Sequence, residues 1–517
     1  MGNGQVAFLG FDAAEATLVR QGIDQGWLPT LAGLVEAGRY ARLSPVPSGL
    51  YNASWASTVT GQDIDAHQAI FDRQLEPGSY RIVDVRARSI RRPPFWRYLS
   101  DAGVRSTIAS IYSAPMLPAF SGTQVQGWGS IDPYFAKFGE TSFDPPEVEQ
   151  VLRRAVGRRQ ALYRMAAPRT SSEFRRYRDR MIRSVDEQTR GLGALVEGTE
   201  WEFFFASFSE PHQAGHLLWH LADHGHPAHD PDADADLKDA LAAIYRAVDA
   251  GLGRVIERMP EGCRVFVLTP HGMGPNYIQD PGEMLLERGG WLVRRSGASS
   301  EGMHKQAVRT AWALGRRVTP TRLRIAVYGR LSGNGVRTEM PLSHVDWQRT
   351  RAFALPSDMT AYVRINLEGR EPEGIVRPGS EYDRLCDELS EAFGSLTHAN
   401  SGGPAVERVV RVDRLMGRPV EGVLPDLCVV WADGEPISRL DFAGHGTVDL
   451  PTGDPRTGQH RHVGFLVGTG PGIEHSSDAT VANLLDVAPT ALALLGVEPP
   501  PELPGRPIEA FVESARY

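Results

Sequence analysis

The chain has 517 residues, 41% hydrophobic and 23% charged, with a formal net charge of −8. That length exceeds one compact core and implies a large domain carrying insertions, or two domains. The acidic balance excludes a nucleic-acid footprint at the level of the whole chain. Cys263, Cys386 and Cys428 stand far apart with no CxxC, which argues against a disulfide framework or a thiolate zinc site. The N-terminus runs straight into QVAFLGFD with no basic leader, and no apolar run reaches membrane length. The expected location is the cytoplasm.

Val6–Gly10 is a short apolar run that predicts a central strand. Asp12 follows at its C-terminal end, either as a cap for the segment from Ala13 or as a metal ligand. Pro29–Gly38 predicts a helix and Ala41–Val46 a second strand. In residues 45–61, PVPSGLYNASWASTVTG, Pro and Gly end the strand. Tyr51, Asn52, Ser54, Ser57 and Thr58 crowd the start of the next helix. A helix N-terminus offers free N–H groups and a positive dipole end to an anion; simple capping by Asn52 or Ser54 is the plain alternative. His67 is a packing residue near this region. Residues 80–84 and 106–112 predict strands, with a helix around Trp96–Ala102 between them. Residues 135–198 are charged and helical and form an expected insertion, whose arginines make a solvated face rather than a phosphate clamp.

Residues 201–220 read WEFFFASFSEPHQAGHLLWH. The aromatic first half predicts a strand buried on both faces. Pro211 suits the first turn of a helix. His212 and His216 then fall at i and i+4, on one helix face, close enough to share a metal ion; otherwise they are polar surface histidines like His220, His224, His226 and His229 nearby. Leu237–Met259 is an amphipathic helix. Arg264–Leu268 is a strand that ends at His271 in ThrProHisGlyMetGly, where the glycines permit close approach. Residues 285–345 form a second expected insertion. Ala352–Asn366, Val406–Val412 and Asp426–Trp431 are strands, and Glu381–Leu396 is a helix. His460 and His462 precede a further strand, VANLLDVAPTALALLG is a helix, and a turn-rich strap closes the chain.

Strand, polar residue, helix recurs along the chain, the pattern of an α/β fold with a doubly wound, mostly parallel sheet. Such sheets bind ligands at the C-terminal ends of their strands. Asp12, His212, His216, His271 and His460 sit at strand ends or in adjoining loops, and come from four distant segments.

The order strand–Asp, a ThrGly-terminated helix, ExxxxxH, HGMG, RTGxHRxxGxxxxxGPG and DxAPTxLxLLG resembles the alkaline phosphatase superfamily, in its type I phosphodiesterase/nucleotide pyrophosphatase-like branch. NLEGREPEGIV, residues 366–376, is similar to a signature of bacterial members. The resemblance runs nearly end to end. It implies a core of residues 1–134, 199–284 and 346–517, a helical insertion at 135–198, and a cap insertion at 285–345. It also implies two metal ions, usually zinc, with a Ser or Thr nucleophile between them.

Asp12, His216, His271 and His460 match the family's ligand positions. Three positions depart. His212 stands for an aspartate, Pro270 for the Asp of AspHisGly, and Tyr51 for the nucleophile. Pro270 cannot coordinate through a side chain, so the resemblance implies one tight site, His212, His216 and His460, and a weak or absent second. A three-histidine set with an open position suits zinc, and also iron, copper or nickel.

The expected activity is metal-dependent hydrolysis of phosphate-type esters, with Tyr51 or water attacking and Asn52 donating to an oxyanion. Simple aryl phosphates are expected to be poor substrates. The alternatives are a metalloenzyme of the same fold doing lyase, isomerase or redox chemistry, and a non-catalytic metal- or ligand-binding descendant. The expected partner is a small anionic molecule, not a nucleic acid polymer or a membrane. Self-association into a homo-oligomer is left open.

Overall fold

The computed structural model describes residues 4–46, 53–85, 89–128, 141–157, 167–295, 340–358, 360–451 and 455–512. Its largest element is a nine-stranded sheet, and five successive strands at its centre run parallel: Arg264–Thr269, Val6–Phe11, Phe203–Phe208, Ser106–Ala109 and Gly122–Gln126. Val6–Phe11 sits between Phe203–Phe208 and Arg264–Thr269, so all three strands end at the same edge. Gly464–Thr469 joins antiparallel beyond Arg264–Thr269, then Arg39–Ser44 and Ser476–Asn483; the short Ser142–Asp144 closes the other end. The expected doubly wound, mostly parallel sheet is therefore present.

Aromatic side chains explain why the central strands bury both faces. On one face Phe8 stacks on Phe266 at 4.7 Å, with Phe95, Phe203 and Phe205 around them. On the other, Phe11 meets Tyr245 at 5.1 Å beside Phe204 and Phe208. Each such ring contributes about 1.5–3 kcal/mol by leaving water. The helices Ser171–Gly198 and Ala240–Ile256 cover the second face. Ser171–Gly198 carries its arginines outward and turns Tyr177, Met181, Val185, Leu192 and Leu195 inward.

A second lobe has its own core. Ala352–Leu355, Thr360–Ile365, Leu427–Trp431 and Val406–Arg411 form a separate antiparallel sheet, covered by the helix Ser380–Gly394. Arg73–Leu75 and Arg81–Asp84 pair with Met340–Pro341 beside the same core. Several bounds differ from the sequence expectations. Val481–Asn483 ends an edge strand, and the following helix proper is Val487–Leu494. All three cysteines are free. Among the described residues no helix is long and apolar enough to cross a membrane.

Candidate metal centre

The parallel strands deliver polar residues to one edge. Asp12 follows Val6–Phe11 directly, and its side chain is 3% exposed. It caps no helix: Glu15 caps the helix Ala16–Asp24. The helix Glu210–Ala222 starts two residues after Phe203–Phe208, with Pro211 in its first turn. His212 and His216 point the same way, their rings 4.9 Å apart. His271 comes two residues after Arg264–Thr269. Pro270, between them, supplies no ligand.

His460 arrives differently. It lies in a two-stranded ribbon, Gly272–Pro275 with Gly458–Arg461, opposite Met273. The ribbon presses on the histidine helix where only hydrogen fits: a Cβ on Gly458 would stand 2.0 Å from the Gly215 carbonyl oxygen. This approach brings the His460 ring to 4.7 Å from both His212 and His216, and to 4.6 Å from His271.

Partners fix the ring nitrogens. His212 Nδ1 lies 2.9 Å from Asp12 Oδ2, and His216 Nδ1 lies 2.8 Å from the Gly458 carbonyl oxygen. An acceptor at Nδ1 takes the Nδ1 proton and leaves Nε2 with a free lone pair. Nε2 of His212 then faces Nε2 of His460 at 3.0 Å. Among the described residues, both buried nitrogens of His271 have no hydrogen-bond partner. Two donor sets result, within 4.8 Å each: His212, His216 and His460, and Asp12, His212 and His271.

The electrostatics favour the neutral form of His216, His271 and His460. Burial, with Arg456 and His212 beside it, holds His216 well below its ordinary value. Burial and then His271, His212 and His216 do the same to His460. Burial lowers His271 to about 4. Burial pushes the Asp12 carboxyl up, but His212, His271 and Trp55 outweigh it and hold it below the usual range. Neutral imidazoles, a carboxylate and converging lone pairs fit a divalent cation. The stranded nitrogens of buried His271 lack any other partner that would explain them.

Asp12 is already engaged twice, because Trp55 Nε1 donates to its Oδ1 at 2.7 Å. Its two oxygens thus face His212 and Trp55. Its Oδ1 lies 3.9 Å from His271 Nε2.

Four further residues stand here that sequence reasoning did not single out. Asp358 and Arg456 form an ion pair at 2.8 Å. Arg456 Nη2 also lies 3.2 Å from each ring nitrogen of His216. Asp72 accepts a hydrogen bond from Tyr112. The Asp72 carboxyl is raised, first by desolvation and then by Asp358, against the Tyr112 bond, His212 and Arg456. Only Arg456 carried a signal, its place in RTGQH. Tyr51 and Asn52 lie outside the described residues.

No family model matches the chain. A curated relative, the 2,3-bisphosphoglycerate-independent phosphoglycerate mutase of Rhodopirellula baltica, is 34% identical over 108 residues. That match spans 20% of this chain and 18% of the relative's length. Among solved structures, murine ectonucleotide pyrophosphatase/phosphodiesterase 5 is 13% identical with a TM-score of 0.48. Phosphonoacetate hydrolase from Sinorhizobium meliloti 1021, in complex with phosphonoacetate, is 13% identical with a TM-score of 0.49. Both alignments cover 96% of each chain. Likeness at this level leaves the chemistry of the site to the residues themselves. The chain has a mostly parallel α/β sheet, and its similarity to the phosphoglycerate mutase is local.

Proposed function

We propose that the protein is a metal-dependent enzyme acting on a small phosphate-type anion, with one tight divalent site built from His212, His216 and His460. The observation that supports this reading most is the convergence of three imidazoles whose Nδ1 atoms are directed elsewhere or face a carboxylate. A cation held there supplies Lewis acidity toward an anionic oxygen. Zinc fits this donor set well. His271, with Asp12 beside it, is the remainder of a second, weaker site.

The chain's own groups have distinct tasks. Asp12 fixes the His212 ring. Arg456 offers a guanidinium to an anion, as arginine does where phosphate must be recognised. Asp72, whose carboxyl burial pushes up, accepts from the Tyr112 hydroxyl beside the site and is a candidate group for proton transfer. Tyr51 keeps the nucleophile position by sequence alone, and Tyr51→Phe tests its hydroxyl.

The all-imidazole donor set favours one other reading. Three nitrogens without a carboxylate also suit iron, copper or nickel, and hence non-hydrolytic chemistry in a biosynthetic pathway.

Metal analysis of the untagged protein, paired with a screen of phosphomonoesters, phosphodiesters and phosphonates, decides between the readings. We expect about one zinc per chain, weak turnover of aryl phosphates and stronger turnover of a specific anionic substrate. A bound redox metal with no hydrolysis favours the second reading. A chain that takes up no metal overturns both.

A further inference from the structure

We infer that Asp358, delivered by the second lobe, is the positioning residue for His460 and ties metal affinity to the seating of that lobe. The inference rests on the three-histidine reading of the site.

Asp358 lies in the turn between Ala352–Leu355 and Thr360–Ile365, strands of the four-stranded sheet. Its side chain is only 10% exposed. It crosses to the ribbon that carries His460 and is held there repeatedly. Gln459 Nε2 donates to the Asp358 carbonyl oxygen at 2.9 Å and to Oδ1 at 3.0 Å. Arg456 Nη2 donates to Oδ2 at 2.8 Å. The same Oδ2 faces His460 Nδ1 at 3.5 Å.

This completes a pattern across the three rings. His212 bonds Asp12 at Nδ1 at 2.9 Å and His216 the Gly458 carbonyl at 2.8 Å, while His460 Nδ1 faces the Asp358 carboxylate at the longer 3.5 Å, a charge contact rather than a hydrogen bond. Carboxylate or carbonyl groups at the far nitrogen set the tautomer and orientation of ligating histidines. For His460 the orientation is the one that turns Nε2 toward His212 at 3.0 Å. Two of the three anchors belong to the parallel sheet's edge or the ribbon itself. Asp358 comes from a different sheet. It also places a negative charge beside a site where position 270 is proline and position 212 is histidine. A shift of the second lobe therefore acts on the metal through a single carboxylate.

The test titrates zinc into metal-free full-length protein against a chromophoric chelator. It compares wild type, Asp358→Asn, Asp358→Ala and His216→Ala, and adds cobalt visible spectra and metal-free melting curves. Asparagine keeps an acceptor for Gln459 and removes the charge facing Nδ1. We expect Asp358→Asn to weaken zinc binding about 10–100-fold and to change the cobalt ligand-field bands, with the metal-free melting temperature preserved. Affinity within about threefold of wild type for both Asp358 variants, well short of a supporting partner's usual effect, overturns the inference. Asp358 is then only a clamp between lobes, and a fall in melting temperature alone reports that clamp. If wild type binds no zinc, or His216→Ala binds it equally well, the reading of the site fails first and the role of Asp358 falls with it.

Discussion

Two buried polar clusters in this protein are built on opposite terms. In the second lobe, Arg364, Arg370, Glu371 and Asp426 form a closed ionic network. Glu371 Oε1 accepts from Arg364 Nε and Arg370 Nε, each at 2.8 Å. Asp426 takes both ends of the Arg370 fork, at 2.7 and 2.8 Å, and also the Ile365 amide and the Tyr382 hydroxyl. Two cations meet two anions, and among the described residues the buried Glu371 Oε2 has no hydrogen-bond partner. At the edge of the parallel sheet, four imidazoles crowd together, and burial holds His216, His271 and His460 below their ordinary value. The first cluster pairs every charge it holds. On the proposed reading, the second is completed by a cation. Buried charge is tolerated when paired and hydrogen-bonded. A cluster that leaves donors stranded marks a site.

The largest expected effect breaks the second cluster. His216→Ala should empty the tight site. Activity should drop by more than the about 10–100-fold that losing a supporting partner costs, while the metal-free fold stays intact. Metal analysis by mass spectrometry and melting curves without metal check both halves. Full metal content in this variant would remove His216 from the site.

The opposite outcome is expected at Asp426. Replacing it by alanine strips the anion from both ends of the Arg370 fork and leaves Arg364 and Arg370 to share Glu371, which costs about 3–5 kcal/mol. Urea unfolding should register that loss, and metal per folded chain should stay at the wild-type level. A variant as stable as wild type would mean that Arg370 finds a new partner or water.

Much of this contrast is legible in the sequence and part of it is not. His212 and His216 are visible because an aromatic strand stops abruptly and a helix begins with histidines one turn apart. Asp12 and His271 follow the same logic. His460 is visible only through its motif; the ribbon that carries it to the helix depends on the contact of Gly458 with Gly215, which no local pattern encodes. Asp358 gives no signal at all. It is one aspartate in a hairpin turn of another sheet, and its meaning comes from tertiary placement alone. Residues 171–198 look like a charged insertion because arginines dominate the composition, yet a stripe at helical spacing faces the core. The first residues of VANLLDVAPTALALLG join a strand although the run as a whole carries a helical apolar pattern. There the pairing with Arg39–Ser44 outweighs propensity.

Metal removal should have a smaller effect than either substitution. A ligand that binds only the folded chain stabilises it by about 2.7 kcal/mol at one hundred times its dissociation constant. Chelation should lower the melting temperature of wild type accordingly. His216→Ala should not respond. The Asp426 variant should respond as wild type does, because its network lies outside the site. A chelator shift that persists in His216→Ala would point to metal held elsewhere.

The smallest expected effect uses a histidine that is buried and satisfied. His67 is fully buried, with Nε2 at 3.0 Å from Ser57 Oγ and Nδ1 accepting from the Ala69 amide at 3.1 Å. Burial lowers it to about 3, against a small opposing pull from Asp65. The unfolded chain takes up this proton near pH 6.5, and the folded chain does so only near 3. Between those values the unfolded state binds more protons, so stability is full above 6.5 and falls as the pH drops. The slope from this one group approaches about 1.4 kcal/mol per pH unit. Urea unfolding of metal-free protein between pH 7 and 4 should therefore be steeper for wild type than for His67→Gln by about that amount. Adding zinc should not alter the difference between the two, since His67 has no nitrogen left to offer. Equal slopes would show that His67 protonates in place, and that a satisfied histidine here is no more buried in effect than the stranded ones at the metal centre.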